Sequence, residues 1–256
     1  MIVIHNLGLA IRGRPVLKEI NLTCNDGEIV GITGASGSGK SVLLKAMGGL
    51  LPPSSGSLHH NGVPLPRRSR DSARVVTHLD AIPPCNGDER LASYLLLARN
   101  SRRGPFRPFS DYDRQVTEEQ ILLLGLEPLK DTGVGALSGG AMKRARIARA
   151  LIREPRALLL DNPECDLDIA SVRMLEKALA RYVMEGTRLA VVASNDLNFL
   201  SRTADRFVIM EDGAIAEIGD AGILTAETIK RYFGIDVIIS KNIYSGKPEI
   251  QPFPGA

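Results

Sequence analysis

Gly34-Ala35-Ser36-Gly37-Ser38-Gly39-Lys40-Ser41 fits the pattern G-x-x-x-x-G-K-[ST]. This octet needs a strand before it and a helix after it. Both are present. Glu28-Ile29-Val30-Gly31-Ile32 is a short apolar run bounded by glycine, of the kind that forms a buried strand. A helix is expected from Lys40 to about Leu50, stopped by Pro52-Pro53. Glycines let successive backbone N–H groups converge on phosphate oxygens, and a helix N-terminus adds its positive dipole end. Lys40 supplies a point charge for outer phosphates and Ser41 a hydroxyl for Mg²⁺.

The rest of the chain alternates strand and helix patterns. Ile2-Val3-Ile4, Pro15-Val16-Leu17 and Ile20-Asn21-Leu22 read as short antiparallel strands with turns at Gly13 and Asp26-Gly27. Arg74 to Thr77, Ala157 to Asp161 and Leu189 to Ser194 read as further strands. Phe207 to Met210 and Ala214 to Ile218 flank Glu211-Asp212-Gly213 as a hairpin. Helical spacing appears over Leu91 to Asn100, Val116 to Leu126, Met142 to Arg153 and Val172 to Met184. This alternation predicts an α/β fold with a mostly parallel sheet, an N-terminal antiparallel β subdomain and an inserted α-helical subdomain over about 86–140.

Composition narrows the functions. Over 256 residues, 32 basic and 29 acidic side chains leave a net charge of +3, too little to argue for nucleic acid as a partner. No apolar run is long enough to span a membrane, and no secretory leader is expected. Cys24, Cys85 and Cys165 are odd in number and far apart, which suits a reducing cytoplasm. His59-His60 should face opposite sides of a strand and form no metal site, and Cys165 is expected as a small packing residue. The basic clusters Pro66-Arg67-Arg68-Ser69-Arg70 and Ser101-Arg102-Arg103 read as solvated loops.

Leu137-Ser138-Gly139-Gly140-Ala141 precedes a basic helix, and Ala157 to Asp161 runs into Asn162-Pro163 and Asp166-Leu167-Asp168. With the phosphate loop, this order resembles the nucleotide-binding subunits of ABC transporters over residues 1–235, leaving a C-terminal tail at 236–256. Ala98-Arg99 to Pro105, Asp111 to Arg114, Gly125-Leu126 and Tyr232 to Val237 are most similar to the ATPases of iron-chelate, haem and cobalamin importers. The resemblance implies a P-loop NTPase core that binds ATP and Mg²⁺. It also implies a transmembrane permease partner, a second cassette in a homodimer or heterodimer, and a place in the cytoplasm at the inner face of the membrane. Nucleotide would be held by Gly34, Ala35, Ser36, Gly37, Ser38, Gly39, Lys40, Ser41, Val42, Asp161 and Asp168. Ser138, Gly139 and Gly140 would face the partner's nucleotide. Ser41, Asp161 and Asp80 would ligate the metal.

The departures from the family pattern fall on the positions of hydrolysis and on the aromatic that would stack adenine. Asn162 stands where the family has a glutamate that activates water, Asn195 where it has a histidine, and Asp80 where it has a glutamine. No Phe, Tyr or Trp precedes Tyr94, although the family stacks adenine on an aromatic near Ile11-Arg12. Glu164 lies two residues beyond Asn162, a spacing that points it elsewhere. The resemblance therefore implies a chain that binds Mg-ATP with its own hydrolysis impaired. Two alternatives are a competent ATPase with a non-standard catalytic arrangement and a nucleotide-gated regulatory subunit with no transport role.

Overall fold

The computed structural model describes residues 1–64, 76–78, 87–103, 107–184, 186–243 and 245–253. Asp80, Cys85, the basic cluster 66–70 and the first residues of the strand expected from Arg74 lie outside them.

A six-stranded sheet forms the centre. It contains β3 (Ile29–Gly34), β6 (Val76–His78), β7 (Ala157–Asp161), β8 (Leu189–Ala193), β9 (Arg206–Glu211) and β10 (Ala214–Gly219), in the order β10-β9-β3-β8-β7-β6. All neighbours are parallel except β10, which returns from β9 as the expected hairpin. The central strands are mostly apolar because both faces are covered, with Asp161 only at the end of β7. Leu159 and Val191 point to one hydrophobic cluster, Leu158, Leu160 and Val192 to the other.

The first cluster lies under α1 (Lys40–Met47) and a four-stranded antiparallel sheet, β2-β1-β4-β5. Its strands are β1 (Ile2–Ile11), β2 (Arg14–Cys24), β4 (Ser55–His60) and β5 (Val63–Pro64). The three short N-terminal strands expected from sequence are instead two long ones. Their polar interruptions are irregularities within the strands: Asn6 and Glu19 take left-handed φ of 45° and 49°. The Asn21 amide secures the first, accepting from the Asn6 N–H at 2.9 Å and donating to Asn6 Oδ1 at 2.8 Å. His59 is half-buried and His60 buried on β4, and no cluster of metal-ligating side chains occurs among the described residues.

The second cluster lies under the helical subdomain and the helices after it. These are α2 (Leu91–Leu96), α3 (Asn100–Arg103), α4 (Asp111–Leu123), α5 (Gly139–Ile152), α6 (Ile169–Val183), α7 (Leu197–Thr203) and α8 (Ala226–Phe233). Several helices start earlier than periodicity placed them, because polar caps set their first turns. Ser110 caps α4 in a reciprocal box with Asp113. Ser138 accepts from the Ala141 N–H on α5, and Asp168 from the Ser171 N–H on α6. Helix α1 stops at Met47 rather than near Leu50, since Gly48 takes the cap and Gly49 a φ of 69°. The helix expected over Leu91–Asn100 tightens into a 3-10 turn at Leu97–Arg99.

The C-terminal stretch forms a hairpin, β11 (Val237–Lys241) with β12 (Pro248–Pro252). Asn198 on α7 holds it from both sides, donating to the Ile250 carbonyl and accepting from its N–H, each at 2.8 Å. Val237 and Ile250 join the second cluster. No described helix is long and apolar enough to cross a membrane.

Candidate functional site

At the C-terminal ends of β3, β7 and β8 the loops converge on a cavity of about 230 Å³. One wall is the glycine loop and the start of α1: Ser36, Gly37, Gly39, Lys40, Ser41 and Val42. Asn162 from the loop after β7 and Asn195 from the loop after β8 also line the cavity. Residues singled out from three separate parts of the sequence thus meet in one place.

The glycine loop is shaped by close backbone contacts. Gly34 has a φ of 145°, and a Cβ there would lie 2.1 Å from the Met210 carbonyl oxygen at the end of β9. Gly39 caps α1 with a φ of 103° and packs on Leu17. Lys40 is folded back onto the loop. Its ammonium donates to the carbonyl of Gly34 at 2.7 Å, that of Ala35 at 2.9 Å and the Ser38 hydroxyl at 3.4 Å. Burial lowers its pKa, and the Asp161 carboxylate opposes that shift. An ammonium held by two carbonyls and a hydroxyl is available to an anionic ligand that offers a charged oxygen instead.

Asp161 ends β7 half-buried, directly behind Asn162. Asn162 has a left-handed φ of 43°, its N–H donates to the Ala193 carbonyl at 2.8 Å, and its amide donates to Asp161 Oδ1 at 3.1 Å. Neither asparagine can accept a proton at neutral pH. Glu164 turns away from the cavity into the protein and pairs with the Ser194 hydroxyl. Burial raises its pKa, the Ser194 hydrogen bond lowers it, and nearby Asp196 raises it further.

Ser138, Gly139, Gly140 and Asp168 do not line this cavity. Gly140 lies beside the Asp166 carbonyl, where an added Cβ would be 3.4 Å away, so the turn before α5 abuts the loop after β7. The Asp168 carboxylate is engaged by the Ser171 N–H at 2.7 Å, which lowers its pKa. Cys165, expected to pack inside, is exposed at the crest of that loop, with its pKa raised by partial burial and by Glu164. Val16 on β2 also lines the cavity and was not anticipated. Its only sequence signal is its place next to Leu17 in an alternating strand.

The family model described as ABC transporter matches residues 17–164, from β2 through the glycine loop and the loop after β7 to Glu164. The chain belongs to the ABC transporter family. Among its relatives, a phosphonates import ATP-binding protein of Trichormus variabilis is 33% identical over 233 residues, covering 88% of this chain and 95% of the relative. A hemin import ATP-binding protein of Gloeobacter violaceus is 29% identical, covering 100% of this chain and 95% of its own. A solved dimeric ATP-binding cassette in a post-hydrolysis state, bound to ADP and Pi, superposes with a TM-score of 0.75. It shares 23% identity, over 86% of this chain and 98% of the other. As an ABC ATP-binding cassette, the chain is of a kind that binds ATP, and importer ATPases are among its relatives.

Proposed function

We propose that this cassette is the ATP-binding subunit of a membrane importer, that it binds Mg-ATP at the cavity around Lys40, and that its own hydrolysis is impaired. The observation that carries this reading is the meeting of Asn162 and Asn195 with Lys40 and Ser41 at one cavity. The anion-binding parts are intact, and the two side chains facing them lack basicity. The Ser41 hydroxyl and the Asp161 carboxylate are hard oxygen donors that would hold Mg²⁺, and the ion would supply positive charge against the phosphates. Lys40 would leave its loop carbonyls for the outer phosphates, and the N–H groups of the loop would hold the rest. Asn195 would meet the terminal phosphate and Asn162 would hold a water without deprotonating it.

Dimerisation with a second cassette is supported by the related cassette bound to ADP and Pi, which is itself dimeric, and is compatible with Ser138–Gly140 lying outside the lining of this chain's own cavity. In such a pair Ser138–Gly140 would serve the partner's nucleotide. A permease partner and a place at the inner membrane face are supported by the importer relatives. Isothermal titration of the full chain tests the binding site: Mg-ATP should bind, and Lys40→Ala should weaken binding at least about tenfold. Equal affinity in both chains would overturn the assignment.

A further inference from the structure

The two loops that bring Asn162 and Asn195 to the cavity are joined by a side chain outside it. Glu164 is only 9% exposed. Its Oε1 pairs with the hydroxyl of Ser194, a fully buried residue, and that hydroxyl also accepts the Asp196 N–H at 2.9 Å. Asn195 therefore sits between two residues anchored by one hydroxyl. The Glu164 loop cannot drift to follow them, because Lys143 on α5 donates to the carbonyls of Asn162 at 2.8 Å and Cys165 at 2.6 Å. Glu164 Oε2 is buried with no hydrogen-bond partner among the described residues. A carboxyl half-satisfied in the interior costs stability that an apolar side chain would not. Packing alone does not account for it.

We propose that Glu164, acting through the Ser194 hydroxyl, is a positioning residue that holds Asn195 in place at the phosphate cavity. The inference rests on the reading of that cavity as the nucleotide site. Asp196 and Lys143 act electrostatically on the Glu164 carboxyl with opposite signs, the first raising its pKa and the second lowering it. The link to Asn195 runs through a hydrogen bond that a neutral amide at position 164 would also make.

The test compares ATP with ADP, both with Mg²⁺, by titration calorimetry on the full chain. Loss of one hydrogen bond to the terminal phosphate should reduce the preference for ATP about fivefold. Glu164→Ala should show that drop with ADP affinity unchanged, Ser194→Ala should reproduce it, and Glu164→Gln should restore the preference. Asn195→Ala should show the same drop, with no further loss when combined with Glu164→Ala. A merely structural Glu164 would lower the unfolding temperature and leave the nucleotide preference alone, and that result overturns the proposal. So does failure of Glu164→Gln to restore the preference. If Glu164→Ala does not fold, Ser194→Ala decides. If Lys40→Ala abolishes binding of both nucleotides while Asn195→Ala changes no preference, the site stands and the inference falls. If Lys40→Ala affects neither nucleotide, the reading of the cavity itself has failed.

Discussion

The side-chain amide of Asn162 donates to Oδ1 of Asp161 across 3.1 Å. A carboxylate only accepts, so the amide's NH₂ end must face it. Asn162, which lines the cavity, thus spends a donor on the carboxylate of the preceding residue. Asn162 also holds a φ of 43°, a region asparagine tolerates better than glutamate. Asn162→Glu loses the hydrogen bond and sets two carboxylates side by side. We expect the variant to be less stable by about 1–2 kcal/mol in Mg²⁺-free buffer, or roughly 2–8 °C in melting temperature for a chain of this size. Mg²⁺ should recover part of the loss. Calorimetric melting with and without Mg²⁺ checks this, and an unchanged melting temperature in its absence would refute the proximity argument.

A second prediction concerns the helical subdomain. Arg99 is buried between two carboxylates, Asp113 at 2.7 Å and Glu154 at 2.7 Å, and donates to the Ile152 carbonyl at 2.8 Å. Tyr112 donates to Glu154 at 2.9 Å, and Arg188 reaches the same carboxylate at 3.2 Å. The hub ties α4 to the segment that feeds β7. Arg99→Ala leaves both acids without the cation between them, which should cost about 3–5 kcal/mol. Urea titration measures it, and a loss under about 1 kcal/mol would show that the neighbouring arginines compensate.

The hub also sets a pH dependence. Burial alone would raise the Asp113 pKa, but the Arg99 and Ser110 hydrogen bonds outweigh it and hold the carboxyl at about 2, against 3.8 normally. A lowered folded-state pKa contributes stability above the unfolded value, and that stability is lost as the folded group protonates. The contribution is present above pH 3.8 and fades as pH falls towards about 2. Asp113→Asn should be less stable than wild type at neutral pH, and the gap should narrow across that window. A gap constant down to pH 2 would contradict the assignment.

How much of this was legible in the sequence follows from the range of each interaction. The glycine loop is local, so its spacing alone located Gly34 to Ser41. The meeting of Asn162 with Asn195 needed the family resemblance, because parallel pairing of β7 and β8 brings them together. The irregularities at Asn6 and Glu19 looked like strand ends, because the pairing that keeps β1 and β2 continuous is tertiary. The link from Glu164 to Ser194 spans 30 residues, and the Arg99 hub reaches 55 residues to Glu154. Neither leaves a local pattern. Helix starts were misjudged where caps at Ser110, Ser138 and Asp168 preceded the apolar periodicity.

Base recognition should be weak. Ile11, in the Ile11-Arg12 stretch where the resemblance would place an aromatic, is 39% exposed at the end of β1, and Val16 is the residue from β2 on the cavity wall. Base stacking on an aromatic ring is worth about 1–3 kcal/mol. ATP and GTP should therefore bind within about tenfold of each other, and Ile11→Tyr should strengthen ATP binding at least about fivefold. Competition titrations measure both. A wild-type preference for ATP above about a hundredfold would mean that another group reads the base.

The last prediction is catalytic. Removal of a general base typically costs about 10²–10⁴ in rate. Set against a typical enzyme turnover of about 10 s⁻¹, the chain alone should release phosphate at about 10⁻¹ to 10⁻³ s⁻¹. Asn162→Glu by itself should restore little, because it disturbs Asp161 and leaves Asn195 unable to replace an imidazole. Asn162→Glu combined with Asn195→His should raise turnover at least about tenfold, since base and phosphate contact return together. Ser138–Gly140 are intact in this chain and lie outside its own cavity. An intact second cassette mixed with it should therefore hydrolyse ATP at its own site, and Ser138→Arg here should abolish that stimulation. Steady-state phosphate release measures every arm. A wild-type rate near 10 s⁻¹ for the chain alone, lost in Lys40→Ala, would mean that water at this site is activated without a base at position 162.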